Sequence, residues 1–209
     1  MKTSNIVKVL NEKFPNPKCE LEFNNDYELV ISTMLSAQTT DKRVNMVMSN
    51  VYKKYDSLEK LNKLSLKEIE ELISSIGLYK NKAKYFKEIV KSLLPYGKVP
   101  NDREFLEKLP GVGRKSTNVV LSVLYDEPYI AVDTHVNRVS KRFGIAEEKD
   151  DVLTVENKLY KYFKGENYKK IGEQLVLFGR YICTSKNPNC EICSLYNECC
   201  SNDKKKMED

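Results

Sequence analysis

The chain has 209 residues, of which 41% are hydrophobic and 31% charged, and it carries a formal net charge of +5. Its length allows one large domain or two small ones, and its mildly basic pI near 8.7 permits nucleic-acid binding without requiring it. Since the sequence contains neither a run of eighteen apolar residues nor a signal peptide, we expect a cytoplasmic protein without a membrane span.

Apolar residues recur at helical spacing along almost the whole chain. Thr40 suits an N-cap, and Ser65 with Glu68 forms a capping box. Strand-like alternation is nearly absent, and Tyr129–Val132 is short enough to be extended chain. The pattern predicts an all-α protein with helices over residues 6–14, 26–35, 41–55, 66–76, 81–94, 102–108, 117–124, 136–143, 152–163 and 167–182.

Residues 109–116 read LPGVGRKS and join a short amphipathic run to a longer apolar one. We interpret them as a tight turn between two helices, in which Gly111 and Gly113 provide backbone angles closed to other residues. Such a turn presents N–H groups beside a helix start and suits an anion such as phosphate. Lys115 falls in the first turn of the second helix, where the dipole favours the neutral, nucleophilic amine. Taken alone, this stretch is better explained by an ordinary helix connection and a solvated lysine.

The apolar run Ile130–Val132 delivers Asp133 to the head of another helix, two residues before His135. An aspartate in this position is first of all an N-cap. His135 is the only histidine of the chain. A catalytic task for the carboxylate would come in addition to capping.

Five of the six cysteines lie near the C-terminus, which indicates a metal centre rather than a disulfide framework. Four of them are spaced Cys183-x6-Cys190-x2-Cys193-x5-Cys199. Four thiolates can hold an iron–sulfur cluster or a structural zinc ion, and the spacing alone leaves the two evenly matched. We expect the remaining cysteines, Cys19 and Cys200, to be bystanders.

Together these features resemble the endonuclease III family of DNA glycosylases. The resemblance combines LPGVGRKS, the aspartate of VDTH, MLSAQTTD at 34–41, IGLYKNKA at 76–83 and the cysteine spacing, so it covers nearly the whole chain. It implies an all-α, two-lobed helix-hairpin-helix glycosylase fold with a DNA-binding cleft between the lobes. One lobe would be a six-helix bundle of residues 19–128, and the other a helical iron–sulfur domain of residues 1–18 and 129–209. We expect a monomer.

The resemblance also implies an activity, a cofactor and a partner. The activity is that of a bifunctional DNA N-glycosylase and apurinic/apyrimidinic lyase, acting on duplex DNA that contains oxidised pyrimidines or abasic sites. Lys115 would attack C1′ as the nucleophile, and Asp133 would support it and stabilise positive charge as the glycosidic bond breaks. The cofactor is a [4Fe–4S] cluster on Cys183, Cys190, Cys193 and Cys199.

The family extrudes the damaged nucleotide and fills the space that it leaves. By resemblance, Gln38 of LSAQ and Leu78 of IGLY take this part. The expected DNA-binding set is Gln38, Leu78, Gly111, Val112, Gly113, His135 and Lys186. One departure concerns the segment 184–189, which holds Lys186 as its only basic residue where the family often has several.

Two other functions remain open. A mismatch-specific adenine or thymine glycosylase could use the same fold, but the adenine-specific branch lacks the lysine found here as Lys115. That branch also carries a glutamate ahead of the glutamine-rich loop, whereas this chain has no carboxylate between Val30 and Gln38. A non-catalytic DNA-binding iron–sulfur protein is the third possibility, and the presence of both Lys115 and Asp133 argues against it.

Overall fold

A computed structural model describes residues 1–199 and 201–205. Within them it contains eleven α-helices, two short 3-10 turns and no strand, which confirms the all-α prediction. In chain order the helices are α1 (Thr3–Lys13), α2 (Asp26–Leu35), α3 (Asp41–Lys54), α4 (Leu58–Lys63), α5 (Leu66–Leu72), α6 (Tyr79–Leu93), α7 (Arg103–Lys108), α8 (Arg114–Tyr125), α9 (Thr134–Arg142), α10 (Val152–Tyr162) and α11 (Tyr168–Tyr181).

The chain divides into two compact units. The hairpin unit is Cys19–Tyr125, and the cysteine unit combines Met1–Lys18 with the segment from Asp126 onward. This division falls three residues before the boundary expected between residues 128 and 129. The hairpin unit contains seven helices rather than six, because Ser57 caps the additional six-residue helix α4 by accepting a hydrogen bond from the Lys60 N–H.

Helix α2 forms the centre of the hairpin unit. All nine of its residues from Tyr27 to Leu35 are buried, and it packs against α3, α6 and α8. A helix that is covered on every face is typical of a core position. Because α8 carries the end of the hairpin and α6 begins at the IGLY segment, α2 gives both a common support.

Most helix boundaries follow the local signals. Thr40 caps α3, and Ser65 with Glu68 forms the predicted capping box of α5. Three boundaries differ from the prediction by three residues or more. Helix α1 begins at Thr3 without a side-chain cap, and α8 begins at Arg114 instead of residue 117. Helix α5 ends at Leu72 instead of continuing to residue 76. Beyond Leu72 the chain forms turns, yet Ile73 and Ile76 stay buried. The apolar spacing at these two residues therefore reflects their burial and not a helix.

The cysteine unit packs α9 against α10 and α11, and α1 against α11. The chain then continues through 3-10 turns at Cys190–Ile192 and Tyr196–Glu198. Its core consists of apolar side chains from all four helices and the extended segment 129–132, among them Leu10, Ile130, Val136, Leu159, Phe163, Leu175 and Phe178. None of the helices in the described part of the chain is long and apolar enough to cross a membrane.

Candidate active site and cysteine cluster

The hairpin turn depends on one glycine rather than two. Gly111 has a φ of 75°, and a Cβ built on it would lie 2.8 Å from Tyr85 Cδ2 and 2.9 Å from Met34 Cγ. A side chain there would meet both the backbone restriction and the packed surface. Gly113 lies outside the left-handed region, and a Cβ on it would have no neighbour within 4 Å. The expectation of special backbone angles is therefore right for Gly111 and wrong for Gly113.

Two apolar side chains anchor this turn in the hairpin unit. Leu109 is 5% exposed and Val112 is 2% exposed. The Val112 N–H donates to the Leu109 carbonyl at 3.1 Å, so that amide is occupied within the turn. The Gly113 carbonyl then accepts from the Thr117 N–H at 2.9 Å, which starts α8. The first-turn N–H groups of α8 precede this ladder, and N–H groups at the start of a helix are able to bind an anion.

Lys115 is the second residue of α8, and its side chain is exposed. The residues that α8 buries include Thr117, Val120 and Leu121. The lysine amine thus stands in solvent at the helix start, directly after the turn that Gly111 allows. It is available to a ligand.

Asp133 is the N-cap of α9. Its Oδ1 accepts from the His135 and Val136 N–H groups, both at 2.8 Å. The buried side chains of Ile130 and Val132 anchor the extended segment that leads to this N-cap. Because one carboxylate oxygen accepts both backbone hydrogen bonds, the Asp133 side chain is held in place at the start of α9.

His135 packs between α9 and α11 in the cysteine unit. A Cβ on Gly179 would lie 2.8 Å from the His135 Cβ, so α11 needs a glycine at this crossing. The His135 Nδ1 is 3.3 Å from Arg138 Nη2, and that guanidinium also donates to the Gly179 carbonyl at 2.7 Å. His135 is therefore a packed, hydrogen-bonded residue whose imidazole is half-buried.

Gln38 and Leu78 share an unusual backbone conformation. They have φ angles of 56° and 59°, in the left-handed region that residues other than glycine rarely adopt. Gln38 lies in the connection from α2 to α3, and Leu78 is the N-cap residue of α6. Both side chains are exposed, with 61% of Leu78 accessible. Exposed, strained residues of this kind concentrate at functional sites.

All four cysteines of the predicted cluster belong to the cysteine unit. Burial raises the pKa of Cys193, and the neighbouring thiols of Cys183, Cys199 and Cys190 raise it further by charge repulsion. No disulfide joins the described cysteines. Cys19 belongs to the hairpin unit, while Cys200 lies outside the described residues.

A buried arginine organises the start of the cluster segment. Arg142 is 9% exposed, and its Nη1 donates to the Cys183 Sγ at 3.3 Å and to the Thr184 carbonyl at 2.7 Å. Its Nη2 donates to the Ser185 carbonyl at 3.0 Å and forms an ion pair with Asp203 at 2.9 Å. Burial raises the pKa of the Cys183 thiol, and the Arg142 hydrogen bond opposes that shift by stabilising the thiolate.

Sequence reasoning missed Arg138 and Arg142. The signal available was their spacing of four on α9, beside the apolar stripe of Val136 and Val139, which places two basic side chains along one edge of a buried face.

Lys186 is exposed in the segment between the first two cysteines, where a ligand could reach it. In the described part of the chain no group of three or more acidic, histidine or cysteine side chains meets the geometry of a bound metal ion.

Comparisons with known proteins give one consistent result. Residues 31–164 match the family model of the HhH-GPD superfamily base excision DNA repair protein. The chain is 45% identical over 192 residues to endonuclease III of Bacillus subtilis strain 168, covering 91% of this chain and 88% of that protein. It is 41% identical over 196 residues to endonuclease III of Rickettsia conorii, covering 93% of both chains.

Solved structures agree with these relatives. A non-covalent endonuclease III–DNA complex superposes with a TM-score of 0.89 at 42% identity and 95% coverage of both chains. A trapped endonuclease III–DNA covalent intermediate gives 0.88 at 42% identity, covering 95% of this chain and 96% of that chain. A thermostable thymine-DNA glycosylase, at 23% identity and a TM-score of 0.81 with 94% and 97% coverage, shares the fold.

Proposed function

Because the chain belongs to the endonuclease III family, within the HhH-GPD superfamily of base excision DNA repair proteins, we propose that it excises oxidised or saturated pyrimidines from duplex DNA. It is a DNA glycosylase and abasic-site lyase, so it also cleaves the strand at the site that it creates. The observation that carries the proposal is the exposed amine of Lys115 at the start of α8, directly behind the turn that buries Leu109 and Val112.

Lys115 is the proposed nucleophile. Its neutral amine attacks C1′ of the damaged nucleotide, the glycosidic bond breaks, and the base departs with the bonding electrons and a proton. Ring opening of the sugar gives an imine between Lys115 and C1′. The imine makes the C2′ proton acidic, so loss of that proton expels the 3′ phosphate by β-elimination.

Asp133 is proposed to supply the fixed negative charge. Positive charge develops on the sugar as the base leaves, and a carboxylate held in place by two backbone N–H groups stabilises that charge without reorganising. The same carboxylate is also proposed to support Lys115 in this attack. His135 then has a supporting role, through its backbone N–H on the Asp133 carboxylate.

The partner is duplex DNA. The first turn of α8, after Gly111, Val112 and Gly113, is the proposed phosphate site, with Lys186 as an additional backbone contact. Gln38 and Leu78 are proposed to enter the duplex when the target nucleotide is extruded, since both side chains are exposed on residues with a left-handed backbone conformation.

The cofactor is proposed to be a [4Fe–4S] cluster on Cys183, Cys190, Cys193 and Cys199. Four neighbouring thiols form a soft donor set, and the Arg142 bond to the Cys183 Sγ favours the thiolate that iron requires. When bound, the cluster would tie residues 183–199 together through four iron–thiolate bonds. Protein prepared without oxygen should be brown and contain iron and acid-labile sulfide, whereas stoichiometric zinc without iron would refute this assignment.

An incision assay tests the activity. Two duplexes are compared, one with a single oxidised pyrimidine and one with a single abasic site. We expect strand cleavage of both, with alkali-independent β-elimination ends. Cleavage of neither, with binding retained, would indicate a non-catalytic DNA-binding protein. Base removal from a mismatch without strand cleavage would indicate a mismatch-specific glycosylase.

A further inference from the structure

Lys82 is a buried lysine that the proposed chemistry does not use. It lies in the first turn of α6 and is 4% exposed. Its Nζ donates to the Leu35 carbonyl at 2.8 Å, to the Ala37 carbonyl at 2.6 Å and to the Thr39 Oγ1 at 3.1 Å. An ammonium has three protons to donate, and all three acceptors come from one short segment of the chain. Burial lowers the pKa of Lys82, so these bonds compensate an unfavourable environment.

The three acceptors surround Gln38. Leu35 ends α2, and Ala37 and Thr39 are the residues immediately before and after Gln38. Carbonyls at the end of a helix carry partial negative charge and attract a cation. The ammonium therefore stabilises the segment on both sides of Gln38, whose own φ of 56° is unfavourable for a residue with a side chain.

The same lysine is tied to Leu78. The Lys82 N–H donates to the carbonyl of Leu78, the residue with a φ of 59°, at 3.1 Å, as a backbone hydrogen bond at the start of α6. The two turns also approach each other at Gly77, where a Cβ would lie 3.9 Å from the Gln38 carbonyl oxygen. One residue is thus bonded through its backbone to the Leu78 turn and through its side chain to the Gln38 turn.

We propose that Lys82 is a positioning residue for nucleotide extrusion, holding the Gln38 turn in register with Leu78 so that the two side chains enter the duplex as a preformed pair. This inference rests on the proposed roles of Gln38 and Leu78. Lys82 itself touches neither the reacting atoms nor, in this account, the DNA. Its contribution is to fix two strained turns before DNA binds, because a preorganised pair does not have to be ordered during extrusion.

The perturbation is Lys82→Met, which keeps the length of the side chain and removes its three donors. Excision of an oxidised pyrimidine that is paired and stacked in duplex should slow by roughly 10-fold to 100-fold, the scale expected for misplaced groups around a reacting centre. Borohydride crosslinking to an abasic site in single-stranded DNA should stay near the wild-type yield, because no stacked base has to be extruded there.

Helix α6 provides a matched control in Lys87. Its Nζ donates to the Asn62 and Leu64 carbonyls, both at 2.5 Å, so it also joins α6 to backbone carbonyls of another segment. Lys87→Met removes bonds of the same kind at a place distant in sequence from Gln38. We expect it to lower the free energy of unfolding as Lys82→Met does and to leave excision of the stacked lesion unchanged.

A double-mutant cycle separates the outcomes. If Lys82 acts through Gln38, the losses of Lys82→Met and Gln38→Ala should not add, because the second change finds its target already misplaced. Fully additive losses, or a loss with Lys87→Met equal to that with Lys82→Met, would overturn the positioning role alone. If Gln38→Ala and Leu78→Ala slow stacked and single-stranded substrates equally, the extrusion role fails and the inference fails with it. Should Lys82→Met not fold, Thr39→Val removes one of the three acceptors, and the same substrate dependence is expected at a smaller size.

Discussion

Replacing Asp133 by asparagine separates the two tasks that we assign to this side chain. The Asp133 Oδ1 accepts two backbone hydrogen bonds at 2.8 Å, and an asparagine oxygen in the same place can accept both. Asparagine and aspartate are similar N-caps, so the free energy of unfolding should fall by less than about 1 kcal/mol, mainly through loss of charge at the helix start. Asp133→Ala, which loses the cap as well, should cost about 0.5–2 kcal/mol.

The effect on catalysis should be much larger. Removing a single preorganised group that stabilises transition-state charge commonly slows a reaction on the order of 10²–10³-fold, and we expect a loss in this range for Asp133→Asn. The assay is base release under single-turnover conditions from a duplex with one oxidised pyrimidine, alongside chemical denaturation. Asp151→Ala is the control, because the Asp151 Oδ1 caps α10 through the Thr154 N–H at 2.8 Å without a proposed catalytic task. Wild-type base release by Asp133→Asn would refute the electrostatic role.

Four further changes test other parts of the account. Gly111→Ala should destabilise the hairpin unit by about 1–3 kcal/mol in chemical denaturation, because its Cβ would overlap Tyr85 and Met34. Gly113→Val should keep the fold while weakening the salt-dependent binding of the protein to undamaged duplex DNA. Binding that does not depend on salt would contradict a phosphate site. Arg142→Met should lower the iron content of purified protein, since it removes the donors to Cys183 and Thr184, whereas Lys141→Met, which loses only a bond to the Glu148 carbonyl, should not. Burial and the adjacent Glu28 carboxylate raise the pKa of Tyr27 to about 12, so the folded state holds this proton more tightly than the unfolded state. The free energy of unfolding should therefore fall as the pH rises from 10 towards 12, and it should fall less steeply in Tyr27→Phe.

Local sequence signals predicted most of the helices. They failed for one very short helix and for buried apolar residues that lie in turns. Asp26–Leu35 was predicted with its observed bounds, because an apolar run with an aspartate at its start is a strong pattern. Helix α4 was missed, since six residues are too short for a periodic pattern. The end of α5 was placed too late because Ile73 and Ile76 are buried in turns.

The residues of the candidate site also differ in how far the sequence could predict them. Lys115, Asp133 and the cysteines could be chosen from motifs, because their side chains can act as a nucleophile, a carboxylate and metal ligands. The left-handed conformations of Gln38 and Leu78 could not be predicted, because neither residue type favours that region. The burial of Lys82 was equally hidden, since one lysine among 35 basic residues reveals its acceptors only once the chain is folded.

Borohydride trapping of Lys115→Ala tests the central claim most directly. An amine that attacks C1′ leaves an imine, and its reduction should join wild-type protein permanently to DNA that contains an abasic site. Lys115→Ala should lose this crosslink and strand cleavage together, while circular dichroism shows the helices and the iron content is unchanged. If Lys115→Ala still forms the crosslink at the wild-type yield, another amine is the nucleophile and the assignment of Lys115 is wrong.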